Sequence, residues 1–261
     1  MKYGCHAVMF GPKLSTNMEE VIRDIATTGF QGIEAGMRFV PLEQRDQLME
    51  TLAKYNLELA AIHYNYMNWR EDPKGGIEGV RKEAAYMKNT ANKNIMMSFM
   101  PQPGEDLDRL AEIFNEAAMA AAEEGVALRY HNHLAEFGDG ARFIYTMLEK
   151  APYLQFGYDL GWAKRAGFDP IKLLEDTGKR CNYCHLRDPK NEKAEAYTLE
   201  AMRAIGPFPE FGEGETDLKP IVDYVRTHFD EKGWAVVEHE GGAPDVQRYV
   251  KAKAVLDALL K

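Results

Sequence analysis

Val126-Ala127-Leu128-Arg129-Tyr130-His131-Asn132-His133-Leu134-Ala135-Glu136-Phe137 is the point at which an apolar strand pattern runs straight into polar, titratable side chains. Successive side chains of an extended segment face opposite ways, so His131 and His133 share one face, with Arg129 below them and Asn132 on the other. Two neighbouring imidazoles suit a metal or a polyol. Hydrogen-bonded decoration of a loop is the plainer reading of this stretch alone; the functional reading gains weight from three other strand ends that carry matching groups.

Outward from this stretch, short apolar segments alternate with helical spacings in both directions. The strand candidates are Tyr3 to Val8, Phe30 to Glu34, Leu57 to His63, Asn94 to Met100, the quoted stretch, Leu154 to Asp159, Asn182 to Leu186 and Trp234 to Glu238. Helical spacing runs from Asn17 to Thr28 and from Pro41 to Tyr55, where Leu42, Leu48 and Leu52 are expected to face inward. It recurs from Gly75 to Ala91, Asp106 to Glu124, Asp139 to Glu149, Pro170 to Asp176, Asp217 to Phe229 and Asp245 to Leu260. The segment from Asp106 is the clearest, with Leu107, Leu110, Ile113, Phe114, Ala117 and Ala121 in one stripe. Such βα alternation puts the strands parallel and the helices outside, and eight units close a ring. The expected fold is α/β, a (β/α)8 TIM barrel, in one domain over residues 1–261. Tyr64, Tyr66 and Trp69 read equally as a pocket wall or a packed loop. The polar excursion from Arg187 to Gly214 is too long for a connector and is the best candidate for a lid.

At 261 residues and 45% apolar or aromatic content the chain can bury a large core. No apolar run is long enough to span a bilayer, and Met1 to Phe10 lacks the pattern of a secretion signal, so the expectation is a cytoplasmic protein with no membrane partner. A formal charge of −9 argues against nucleic acid as a partner. Three cysteines do not make a disulfide framework. Cys181-Asn182-Tyr183-Cys184-His185 matches a haem-attachment pattern, but in a strand residues three apart face opposite ways and cannot both staple one haem.

In a barrel of this kind the βα loops converge at the C-terminal ends of the strands, and chemistry sits there. Those ends carry Glu34, His63, His131 and His133 with Glu136 beyond, Asp159, His185 with Arg187 and Asp188, and Glu238 with His239 and Glu240. Each alone reads as a salt-bridged or capping group; the coincidence at several ends carries the argument. Mixed nitrogen and oxygen donors suit one divalent ion such as Mn, Zn, Co or Fe, and Mg less well.

Gly29-Phe30-Gln31-Gly32-Ile33-Glu34, Tyr130-His131-Asn132-His133 with Glu136-Phe137, Asp159-Leu160-Gly161-Trp162, His185-Leu186-Arg187-Asp188, Gly212-Glu213-Gly214 with Asp217, and Val237-Glu238 together resemble the sugar phosphate isomerase/epimerase family of xylose isomerase-like barrels. Inosose dehydratases, hydroxypyruvate isomerases and keto-sugar 3-epimerases belong to it, and the resemblance covers nearly the whole chain. It implies one divalent ion held by Asp159, His185 and Glu238. The family's usual strand-five glutamate is replaced by His131, so either His131 is the fourth ligand or Glu136 reaches back. It further implies an enediolate-forming isomerase or epimerase acting on a ketose or keto-sugar. An inosose or keto-sugar dehydratase is the alternative on the same site, and a non-catalytic sugar-binding barrel is the alternative of another class. Glu238 or Glu240 is the expected base, and His133, Glu136 or His63 the expected acid. Arg187 and Lys190 are expected to grip an anionic group of the substrate; the plainer reading is a surface ion pair with Asp188 or Glu192. Trp162 and Glu34 complete the expected substrate contacts. A homodimer is the assembly that related barrels allow.

Overall fold

Parallel strands covered on both faces must be apolar almost throughout. Trp234-Ala235-Val236-Val237 meets that demand with four buried residues. The computed structural model describes residues 1–261 and contains eight such strands, β1 (Lys2–His6), β2 (Gly32–Gly36), β3 (Glu58–Tyr64), β4 (Asn94–Ser98), β5 (Ala127–His131), β6 (Gln155–Asp159), β7 (Cys181–Leu186) and β8 (Trp234–Val237). Each pairs in parallel with its neighbours in chain order, and β8 pairs with β1 to close the barrel.

Eight principal helices wrap it: α1 (Met18–Ala26), α2 (Arg45–Lys54), α3 (Pro73–Met87), α4 (Leu107–Ala122), α5 (Gly138–Lys150), α6 (Pro170–Thr177), α7 (Leu218–His228) and α8 (Gln247–Leu259). Shorter helices lie at Lys13–Thr16, Leu160–Arg165 and Leu199–Ala204. Helix starts follow local chemistry. Asp72, Asp106, Asp169 and Asp217 each accept a backbone N–H of the first turn they precede, satisfying donors the helix leaves orphaned.

Most of the core lies between strands and helices, but a second cluster fills the barrel itself: Ala60, Ala61, Met96, Tyr183, Trp234 and Val236. Small residues make room for large ones there. A Cβ at Gly157 would lie 2.3 Å from Met96 Cε, and the β6–β7 register shifts beside this glycine. Trp234 also finds a partner, its Nε1 donating to Asn92 Oδ1 at 3.0 Å. This plug leaves the polar side chains above it gathered at the C-terminal mouth.

Several expectations at element ends shift, four of them with clear physical content. β1 stops at His6, because His6 Nδ1 accepts the Val8 N–H at 2.9 Å and turns the chain into a 3-10 helix, Ala7–Phe10. β4 stops at Ser98, two residues short of Met100; Pro101 lacks the N–H needed to continue a ladder. Asp139, Gly140 and Ala141 have φ of 50°, 70° and 63°, so regular helix in α5 begins only after them. Leu42 does not face inward: it lies in a 3-10 turn ahead of α2 and is 68% exposed.

The position nearest the core at the start of α2 belongs instead to Arg45, whose guanidinium makes a two-pronged pair with Glu83 of α3 at 2.6 and 2.8 Å. Both are buried. Removing one partner strands the other charge away from water. Arg45→Ala is therefore expected to lower unfolding free energy by about 3 kcal/mol, and the double change Arg45→Met with Glu83→Leu to recover most of that loss, as read by urea denaturation. Equal losses in the single and double variants would show that packing, not the stranded charge, sets the cost.

Candidate metal centre and barrel mouth

The mouth is assembled around the carboxylate of Glu34 at the middle of β2. It is fully buried. His6 Nε2 lies 3.1 Å and His63 Nδ1 3.1 Å from its Oε1. Tyr183 Oη donates to its Oε2 at 2.8 Å, and His185 Nε2 meets the same oxygen at 2.6 Å. Burial alone would raise the Glu34 pKa, but the His185 and His6 imidazoles hold it well below the carboxylate range. With Nε2 committed to Glu34, the His185 ring turns Nδ1 toward the opposite wall.

That wall carries His131, Asp159 and Glu238. One donor atom from each of these and from His185 lies within 4.8 Å of the other three. His131 Nδ1, Asp159 Oδ2, His185 Nδ1 and Glu238 Oε2 are all buried without a hydrogen-bond partner. His185 Nδ1 and Glu238 Oε2 approach to 2.6 Å, yet neither makes a hydrogen bond of acceptable geometry. Buried polar atoms without a hydrogen bond are rare in proteins, and His131 Nδ1, which has no partner at all, beside Asp159 Oδ2, whose only ion-pair partner is the Arg187 guanidinium, fits a cluster open to a cation. Burial pushes Asp159 up to about 6 against the pull of Arg187, and burial holds the His131 imidazole well below its usual range, neutral and ready to ligate. Burial would also lower His185, but Glu34 and Glu238 raise it to about 10.

The backbone of β5 is shaped for this. Its ladder with β6 pairs only Arg129 with Gln155 and Tyr130 with Phe156. Beyond them Asn132 takes over, its amide donating to the Asp159 carbonyl at 3.2 Å and its oxygen accepting the Asp159 N–H at 3.1 Å. One carboxamide thus replaces a peptide in the ladder and sets the separation of His131 from Asp159.

Arg187 is buried at 3% exposure, not in a surface pair with Asp188 or Glu192. Its nitrogens lie 2.7 Å from Asp159 Oδ2, 2.6 Å from Glu238 Oε1 and 3.0 Å from Glu240 Oε2. Against burial, Arg187 first and then His6 and His185 keep Glu238 ionised well below its ordinary range. Asp188 works elsewhere, accepting the N–H groups of Gly212, Gly214 and Thr216 at 3.0, 2.9 and 3.1 Å. A Cβ at Gly214 would sit 2.2 Å from the Asp188 carbonyl oxygen, so only glycine allows the approach.

Other expected residues divide into those the mouth gathers and those it does not. His133 is at the rim, 4.8 Å from the His131 ring and 6.3 Å from Trp162. Burial lowers its imidazole to about 4. His63 is held between Glu34 and Ser98, its Nε2 lying 3.2 Å from the hydroxyl. Trp162 is buried against Phe208, with its Nε1 unpartnered. Glu240 is half-exposed beside Arg187. Glu34 is a support inside the wall and does not face the cleft. Trp69 is packed into the loop against Phe114, whereas Tyr66 does line the entrance. Cys181 and Cys184 are buried, unlinked thiols. His6 and Tyr183, which the sequence reading passed over, both touch Glu34; His6 stands at a strand end like the others, and that position was its signal.

Glu136 does not reach back to the ligand cluster, contrary to expectation. It is fully buried behind β5, accepting the His133 N–H at 3.1 Å and lying 2.9 Å from Tyr130 Oη, among side chains of α4 and α5. It neither reaches the ligand cluster nor opens on the cleft, and the candidate strand-five ligand is His131.

The chemistry so far is that of a barrel whose strand ends gather two imidazoles and two carboxylates able to hold a cation and present a further imidazole to a cleft. A family model described as a xylose isomerase-like TIM barrel matches residues 22–259, and the chain belongs to that family. Among curated proteins it is 23% identical over 267 residues to an inosose dehydratase of Mesomycoplasma hyopneumoniae strain J, covering 93% of this chain and 88% of the relative. Among solved structures it superposes on a sugar phosphate isomerase/epimerase from Parabacteroides distasonis with a TM-score of 0.77 at 18% identity, covering 98% and 96% of the two chains. A xylose isomerase-like barrel from Mycobacterium smegmatis in complex with magnesium gives 0.71 at 13% identity, covering 99% and 96%. The two structural likenesses are of fold.

Glu136 makes a prediction of its own. Burial pushes its carboxyl up to about 8 from an ordinary 4.5, so it holds a proton in the folded chain. Protonated, it donates to Tyr130 Oη, which donates to the Phe99 carbonyl at 2.8 Å. Glutamine reproduces that pattern. The unfolded chain ionises first, so wild-type stability drops as pH rises from about 4.5 to about 8. Glu136→Gln should match wild type near the lower value and gain on it by up to about 1.4 kcal/mol per pH unit across this window, measured by urea denaturation. A difference independent of pH would mean that Glu136 is ionised in the folded protein.

Proposed function

We propose that this protein is a divalent-metal-dependent dehydratase of a keto-polyol of the inosose type. The observation that carries the reading is the asymmetry of the mouth. Where a mirror-image pair of carboxylates would serve epimerisation on both faces of a planar intermediate, β5 supplies His131 and His133, and Glu136 is turned away. An imidazole on one side and ligating carboxylates on the other suit removal of one proton and loss of one hydroxyl from the same face. The curated relative named inosose dehydratase, matched over most of both chains, supports the same reading.

His131, Asp159, His185 and Glu238 would hold the ion, and two nitrogen with two oxygen donors favour Mn, Co, Fe or Zn over Mg. Bound there, it would polarise a substrate carbonyl and its neighbouring hydroxyl, making the adjacent C–H acidic. Glu238, expected as the base, has both carboxylate oxygens engaged, Oε1 by Arg187 and Oε2 by His185, each at 2.6 Å. Glu240 is tied to Arg187 at the rim. His133 is neutral, and no protein group engages its ring by a hydrogen bond. Its imidazole removes the proton next to the carbonyl, the C–H electron pair enters the carbonyl system, and the resulting imidazolium returns that proton to the departing β-hydroxyl as water. A low imidazole pKa makes the second transfer easy. The cleft beyond, about 650 Å³ and lined by Tyr66, Arg70, Phe99, His133 and Tyr197, has the size of a small-ligand site.

Incubation with an inosose and Mn²⁺ in heavy water tests the proposal. The expected result is a product lighter by one water, formed faster than deuterium enters recovered substrate. His133→Asn should lower kcat by about 10²- to 10⁴-fold while keeping the Mn²⁺-dependent rise in Tm, and Glu238→Gln should lose both turnover and that rise. Deuterium exchange or a rearranged product of unchanged composition would instead assign an isomerase or epimerase, and binding without turnover across keto-sugars a sugar-binding barrel.

A further inference from the structure

The opposite end of the barrel holds a second charged cavity that the chemistry above does not use. Arg129 lies two residues before His131 on the same face of β5, and its Nε reaches Asn94, the first residue of β4, at the N-terminal end of the strands. It is only 8% exposed. Its Nε donates to Asn94 Oδ1 at 2.9 Å and its Nη1 to the Phe156 carbonyl at 3.4 Å; both partners are neutral, and Nη2 has none. Buried Arg45 meets Glu83 and buried Arg187 meets Asp159, whereas Arg165 spends its donors on the Gly206 and Pro207 carbonyls; Arg129 has neither an ion pair nor a partner for Nη2.

Arg129 borders a cavity of about 920 Å³ between the strand starts and helices α6 and α7. Lys93, Lys179 and Lys232 line the same cavity, and none of them is in an ion pair with a carboxylate. One acid shares the wall, Asp230, and its Oδ1 is already taken by the Asn182 amide and the Lys232 N–H, both at 2.7 Å. In a chain of net charge −9 this concave surface is a local excess of positive charge. Asp230 is the one carboxylate that acts on the Arg129 guanidinium, at a distance and without an ion pair, and a buried guanidinium so weakly compensated is destabilising unless something supplies more negative charge.

We propose that this end of the barrel binds a small phosphorylated metabolite, with Arg129 as the buried anchor of its phosphate and Lys93, Lys179 and Lys232 around it. The guanidinium fork is shaped for an oxyanion, and four cations exceed what a single carboxylate would neutralise. The volume suits a ligand of metabolite size. The site is separate from the mouth: the interior plug of Met96, Tyr183 and Trp234 lies between them.

Thermal unfolding of the Mn²⁺-loaded protein in inorganic phosphate, against sodium chloride of matched ionic strength, tests it. Wild type is expected to gain roughly 5 °C or more at a phosphate concentration a hundred times the Kd. Arg129→Met should abolish that gain while its Tm without phosphate equals or exceeds wild type, because an apolar side chain replaces a buried charge that has no ion-pair partner. The exposed pair Lys179→Glu with Lys232→Glu should weaken phosphate at least tenfold without altering the phosphate-free Tm, which keeps the test decisive if Arg129→Met fails to fold. Asp159→Asn, at the mouth, should leave the phosphate gain intact. A gain that survives the lysine changes, a gain lost in Asp159→Asn, or none in wild type at tens of millimolar phosphate would overturn the proposal. So would a gain from citrate where phosphate gives none, which would make the ligand a carboxylate.

Discussion

One buried carboxylate organises the mouth. Glu34 gathers groups from β1, β3 and β7, and it is tolerable inside the barrel because four polar hydrogens or imidazole edges surround it. The result is a division of labour around the ring. Strands β1 to β3 supply no atom to the candidate ligand cluster but brace it through His6, Glu34 and His63; strands β5 to β8 supply the four donors. The brace acts on His185 directly, since a ring held at Nε2 has one orientation left for Nδ1. Such preorganisation explains why so many polar groups are buried where a wholly apolar interior would be simpler to build.

A similar economy governs β5 and β6. Strands of a barrel diverge toward the mouth, and a ligand on each of two diverging strands would drift apart. Asn132 prevents this by extending the ladder with a side chain in place of a peptide. Arg187 acts on the other side of Asp159, offsetting the repulsion of Asp159 and Glu238. The cluster is thus fixed by neighbours that are not its ligands.

The alternation of strands and helices was readable because period and punctuation are local properties, and the strand ends named most of the mouth. What failed had physical reasons. Leu42 fits a helical stripe, but Pro41 starts a 3-10 turn whose phase differs, so the stripe begins at Arg45. Glu136 follows a strand end at a distance from which a short turn can send a carboxylate to either side; the turn at Ala135–Phe137 sends it behind β5. His6 is embedded in a mixed apolar run and carries no pattern except its place at a strand end. Arg187 and Asp188 are adjacent in sequence, yet one joins the ligand wall and the other clasps a distant glycine turn. No spacing rule separates two neighbours that the β7 terminus points apart.

That clasp bears on how such a barrel can change over generations. Asp188 ties the far end of the excursion to the residue beside Arg187, so the intervening segment leaves and returns at one fixed place. Lengthening a loop with anchored ends costs only about 0.6 kcal/mol per doubling. The segment, which brings Tyr197 and Glu200 over the cleft, is therefore an exchangeable cassette: it can be recut to admit a different ligand while the groups below keep their coordinates, letting selectivity evolve apart from the site beneath.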